Sequence, residues 1–105
     1  MFKSEGNALP TPSLIISQVC KFYSVDETVL RGTLKNKGVA EARQTAMYLI
    51  RKLTNLSLPD IGKEFAKDHS TVLYAIRKVE TAIKNGDRTV QENIQTITAN
   101  INACL

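Results

Sequence analysis

The chain is poor in the residues that catalysis and metal binding rely on. It has one histidine, His69, and two cysteines, Cys20 and Cys104, far apart in sequence and without metal-ligand spacing or a histidine cluster beside them. No carboxylate pair or Cys/His nucleophile arrangement points to an enzyme. No GxxxxGK[ST] loop is present, so the sequence offers no visible site for holding or hydrolysing ATP. No apolar run reaches membrane length and no signal peptide is evident, so the expected setting is the cytosol. A disulfide is not expected there, and Cys20, lying among Val19, Phe22 and Tyr23, reads as a small buried hydrophobe.

What remains is an ordinary globular composition with an uneven charge. The 105 residues are 43% hydrophobic and 23% charged, enough for one domain and too few for two. Net charge is +4, and it belongs to the middle of the chain. Residues 30–80 hold ten Lys/Arg against five Asp/Glu, while the remainder holds four against five. A concentrated positive region suits a polyanionic partner.

Apolar periodicity predicts helices throughout. Residues 1–10 carry Gly6, Asn7 and Pro10 without a periodic pattern and read as a flexible lead-in to a domain over 11–105. Thr11-Pro12 starts a first helix as N-cap and first helical residue, with Leu14, Ile15, Val19, Phe22 and Tyr23 as its buried stripe. Asp26 caps a short turn through Val29-Leu30. Arg31-Gly32-Thr33-Leu34-Lys35-Asn36-Lys37-Gly38 reads as an exposed basic loop, either a solvated connector or a contact to a nucleic-acid backbone or minor groove. From Val39 to about Leu53 a longer helix turns Ala42, Ala46, Leu49, Ile50 and Leu53 inward, and Arg43, Gln44, Arg51 and Lys52 are expected to project outward or toward its ends. Arg51 and Lys52 also complement the helix dipole there.

The next two segments form a specific pattern. Ser57-Leu58-Pro59-Asp60 opens a short helix whose apolar contacts are Ile61 and Phe65, with Gly62 suggesting a close approach. After a tight turn at Ala66-Lys67, Asp68 caps a longer helix. Val72, Ala75, Ile76, Val79, Ala82 and Ile83 form its inner face, while His69, Ser70, Leu73, Tyr74, Arg77 and Lys78 form the other. Short polar groups on the first turn and cations two turns later suit a helix whose N-terminus enters a major groove. A short helix, a turn and such a longer helix make a helix-turn-helix. After a stop at Asn85-Gly86-Asp87, a last helix from about Thr89 carries Val90, Ile94, Ile97 and Ile101. The fold class is all-α, a bundle of five to six helices of tryptophan-repressor-like type.

Ser57-Leu58-Pro59-Asp60-Ile61-Gly62, Phe65, Asp68-His69-Ser70-Thr71-Val72-Leu73, Ala75 and Arg77-Lys78, with Ala42-Arg43-Gln44 and Leu53-Thr54-Asn55 upstream, resemble the C-terminal DNA-binding domain (domain IV) of the bacterial chromosomal replication initiator DnaA over about residues 12–100. The resemblance implies double-stranded DNA boxes at a replication origin as the partner, in the bacterial cytoplasm at the nucleoid. It implies that Asp68, His69, Ser70 and Thr71 read the major groove. It also implies a minor-groove loop of Arg31, Lys35 and Lys37, and phosphate contacts from Arg43, Gln44, Arg51, Thr54, Asn55, Ser57, Leu58 and Lys78. Such hydrogen-bonding groups match base edges, and free amides near Leu58 suit an anion. As N-caps, Asp68 and Ser57 also have a structural task without DNA. The loop departs from the family, where an arginine-rich run is common; Lys35 stands at the minor-groove position, and lysine is more strongly hydrated than arginine. ATP would belong to the family's separate ATPase module, so this chain needs no cofactor and is expected to be a monomer. Acidic phospholipids are a secondary partner of the basic face. The alternatives are a dimerising helix-turn-helix repressor and a protein-interaction module using that basic face.

Overall fold

Short polar side chains start almost every helix of this protein, and that repeated device sets the element boundaries. The computed structural model describes residues 9–105, so most of the lead-in expected over residues 1–10 lies outside the described residues. The elements in chain order are α1 (Pro12–Tyr23), α2 (Glu27–Leu30), α3 (Lys37–Leu53), α4 (Leu58–Phe65), α5 (His69–Lys84) and α6 (Arg88–Ala103). No strand occurs among the described residues.

Thr11, Asn36, Ser57, Asp68 and Asp87 each accept a backbone N–H from three residues on, at 2.9–3.2 Å. Each such cap satisfies an amide that the helix itself cannot, and is worth about 1 kcal/mol. Asp26 precedes α2 without a side-chain cap bond. Asn36 moves one boundary: α3 begins at Lys37, not Val39, so Lys37 and Gly38 belong to its first turn and the basic loop is shorter than expected. The last helix likewise begins at Arg88, just ahead of the expected Thr89.

One apolar cluster joins the helices. Ile15, Ile16 and Val19 of α1 meet Ala42, Ala46, Met47, Leu49 and Ile50 of α3, with Leu30 between; Ile61, Phe65, Val72, Ala75 and Ile76 close it from α4 and α5, and Ile97 and Ile101 from α6. Helix α3 is the central element, touching all five others. Phe22, expected in the stripe of α1, is 36% exposed, lying edge-on to Tyr23 at 5.1 Å, whereas Ile16 fills the core instead. Cys20 is half-buried against the cluster. Burial and the nearby Glu27 and Asp26 carboxylates push its thiol pKa up, which keeps it protonated.

The turn between α4 and α5 fixes how one helix follows the other. Ala66 adopts the left-handed conformation (φ 54°), and Lys67 N–H donates to the Gly62 carbonyl at 3.0 Å. The chain folds back so closely that a methyl group on Gly62 would run into the Lys67 carbonyl oxygen. Glycine at this position is therefore a requirement of the turn, which accounts for the close approach its sequence position suggests.

Candidate nucleic-acid interface

The first turn of α5 is a capped helix start with its side chains in solvent. Asp68 Oδ1 accepts the Thr71 N–H at 2.9 Å, and Asp68, His69, Ser70 and Thr71 are all exposed. Hydrogen bonds from Thr71 hold the Asp68 carboxyl below its ordinary value of 3.8, with His69 and the Ser70 amide adding to the effect. The buried side of the helix, Val72, Ala75, Ile76 and Val79, sits on α3 and α4 and so fixes the direction in which the first turn points. Farther along the outer face, Tyr74 is 65% exposed and lines a shallow depression of about 280 Å³ with Arg77, Lys78 and Thr81.

The segment between α2 and α3 is braced from both sides. Arg31 Nη1 donates to the Glu64 carbonyl at 2.8 Å and to Glu64 Oε1 at 3.0 Å, while Nε donates to Glu27 Oε2 at 3.1 Å. Glu64 lies in the last turn of α4, so this contact ties the start of the loop to the turn that launches α5. Arg31 is thus an intramolecular clamp, half-buried and with Nε and Nη1 engaged within the chain, where an exposed loop residue was expected. Lys35 and Lys37 remain exposed, without an ion pair among the described residues.

Arg43 requires a larger correction. It does not project outward: it is 8% exposed, and its Nε, Nη1 and Nη2 donate to the carbonyls of Leu30, Leu34 and Val29 at 2.8, 3.1 and 3.2 Å. Burial lowers its pKa, and three of its five N–H groups donate to backbone carbonyls, so the guanidinium holds the loop in place. The expected outward projection gives way to a position that braces the loop from within. The helix wheel carried a signal for this, since Ala46, Met47 and Ile50, at three, four and seven residues on, are all buried.

The other expected phosphate residues are in mixed situations. Gln44 and Lys78 line one groove with Lys37, about 350 Å³ in volume, between α3, α5 and α6. Arg51 is exposed and gives one bond to the Leu56 carbonyl, 3.0 Å away. The Thr54 hydroxyl donates to the Ile50 carbonyl at 2.6 Å and accepts the Leu56 N–H at 3.2 Å, which closes the end of α3. Ser57 caps α4, Leu58 is half-buried behind it, and Asn55 is exposed. Lys52 lies 5.7 Å above the Tyr48 ring and 3.5 Å from Glu80, an α3–α5 tie.

Residues 12–79, which run from the start of α1 into the third turn of α5, match the family model described as the bacterial dnaA protein helix-turn-helix. The chain belongs to the bacterial DnaA helix-turn-helix family. Relatives named chromosomal replication initiator protein DnaA include that of Thermoanaerobacter sp. (strain X514), 47% identical over 77 residues, covering 73% of this chain and 17% of that protein. The Corynebacterium aurimucosum protein is 45% identical over 92 residues (87% and 17%), and that of Mycobacteroides abscessus 43% over 99 residues (92% and 20%). The chain thus spans no more than about a fifth of the length of these relatives. As a DnaA-family helix-turn-helix it is a non-catalytic unit. Among the described residues no group of His, Cys, Asp and Glu could hold a metal ion, and no helix is long and apolar enough to cross a membrane.

Proposed function

We propose that this DnaA-family domain binds double-stranded DNA at replication-origin boxes, with the N-terminal turn of α5 in the major groove and the 32–36 loop in the adjacent minor groove. The observation that carries this reading is the tie from Arg31 to Glu64, which sets the basic loop beside the turn leading into the recognition helix. His69, Ser70 and Thr71 present donors and acceptors to base edges, and the Thr71 methyl suits a thymine methyl. Asp68 caps the helix with one carboxylate oxygen and has a second to offer a cytosine amino group.

Lys37, Gln44 and Lys78 meet one phosphate strand, with Asn55, Arg51 and the Leu58 amide at the start of α4 on another part of the backbone. The position of Lys37 supports this reading. It stands at the start of α3, where the helix dipole disfavours a cation and no acidic residue in the first turn offsets it, so helix stability does not explain it. The domain acts as a monomer.

Dimethyl sulfate probing tests the two-groove arrangement directly, because it methylates guanine N7 in the major groove and adenine N3 in the minor groove. Binding should protect N7 within the box and N3 in the segment beside it. Protection of neither would overturn the proposal, and protection of N7 alone would remove the loop from it.

A further inference from the structure

We propose that Leu34 is a specificity residue: an apolar contact that the loop presents to the minor-groove floor and that rejects the guanine 2-amino group. The inference rests on the two-groove reading above and adds a discrimination to it. Leu34 is 53% exposed, in a segment otherwise made of Thr33, Lys35, Asn36 and Lys37. Its backbone is not free, since the Leu34 carbonyl accepts from Arg43 Nη1 at 3.1 Å. Arg31 anchors the loop on one side and the Asn36 cap on the other, so a buried arginine, a clamp and a helix start together hold an apolar side chain out in solvent. Beside it, Lys35 supplies the charge that draws the loop to a narrow, electronegative groove.

The chemistry of that groove gives the side chain a function. An A·T pair offers only acceptors there, whereas a G·C pair adds the 2-amino donor at the centre of the floor. Apolar side chains, leucine among them, do enter minor grooves, in some proteins as wedges between base steps. A leucine lying over an A·T step meets the adenine C2–H at the centre of the floor, with the N3 and O2 acceptors to either side. Over a G·C step the same leucine would cover an amino group without accepting from it, and an unpaired polar group carries a desolvation cost. Lysine alone senses groove potential; leucine beside it senses the amino group.

The test adds the minor-groove amino group without altering the major-groove edge, and the Leu34 and Lys35 variants separate its contact from groove potential. Anisotropy titrations would compare a duplex whose segment beside the box is A·T-rich with one in which those adenines are replaced by 2,6-diaminopurine, which adds a 2-amino group and leaves the major-groove edge unchanged. Wild-type protein should bind the adenine duplex about fivefold to tenfold more tightly. Leu34→Ser should bring the ratio close to one with an unchanged Tm, and Leu34→Ile should keep it. Lys35→Ala should weaken both duplexes and preserve the ratio. An unchanged ratio in Leu34→Ser, or a ratio near one in a wild-type protein that still prefers box to scrambled DNA, would overturn the role of Leu34 alone. Absence of any wild-type preference for the box over a scrambled duplex would instead remove the base-reading proposal, and Leu34 with it.

Discussion

Arg31 closes on Glu64 with a single nitrogen that reaches both the backbone carbonyl (2.8 Å) and the side-chain carboxylate (3.0 Å). One residue thereby satisfies an end-of-helix carbonyl of α4 and pairs with the carboxylate beside it, and the basic loop is fastened to the helix-turn-helix. Both side chains are about 30% exposed, so the pair is partly shielded from solvent. Arg31→Ala should lower stability by about 1–2 kcal/mol. Glu27→Gln, at a more exposed partner, should cost no more than about 0.5 kcal/mol. Urea unfolding of both variants checks the order, and equal losses would contradict the clamp.

Arg43→Ala should behave as the loss of a structural part. Three carbonyls lose their donor at once, and the expected destabilisation is about 2–4 kcal/mol. Arg43→Lys should recover little, because an ammonium cannot reproduce the planar fork that reaches all three. Hydrogen exchange should show faster amides over residues 30–36 in either variant. The salt slope of DNA binding should change less than in Lys78→Ala, which removes an exposed cation and should flatten the slope by about one unit.

Gly62→Ala sets helix propensity against sterics. Alanine would favour an isolated helix by about 1 kcal/mol. Here the added methyl meets the Lys67 carbonyl, a backbone atom that cannot rotate away, so a net loss of about 1–3 kcal/mol is expected. A thermal melt decides the sign, and a stabilised Gly62→Ala would show that the turn is looser than described.

The Asp68 carboxyl carries a pH dependence. Its folded pKa lies below the ordinary 3.8 because Thr71 donates to the ionised form. A depressed folded pKa means that the unfolded chain takes up the proton first. The contribution to stability is therefore complete above the unfolded value and is lost as pH falls through the folded one. Asp68→Asn should show a shallower decline of Tm with acidification in that window and the same pH dependence as wild type near neutrality. Parallel acid limbs would dissociate the cap from the shift.

Much of this architecture could be read from residue patterns because local signals set it. Thr11-Pro12, Ser57, Asp68 and Gly86 mark helix ends through bonds or φ values that involve only near neighbours in sequence. The inner faces of α3 and α5 follow from periodicity for the same reason. The fates of Arg31 and Arg43 were less legible. Glu64 is 33 residues from Arg31, and the carbonyls taken by Arg43 lie 9 to 14 residues away, so only the folded chain brings them together. An arginine in a basic region reads as an outward-facing cation, and its internal acceptors come into view only in the folded chain. Asn36 was a missed local signal, an N-cap whose recognition would have placed Lys37 at the start of α3.

The central claim is that the exposed first turn of α5 reads base identity, and His69 is its most direct probe. The decisive measurement is fluorescence anisotropy of wild type and His69→Ala, across a salt series, on a duplex carrying the initiator box and on a scrambled duplex. The account predicts that wild type prefers the box by a clear margin, that His69→Ala loses most of that margin, and that both proteins bind the scrambled duplex with the same salt dependence. Equal binding of box and scramble by both proteins would contradict it, leaving only a basic surface without base recognition.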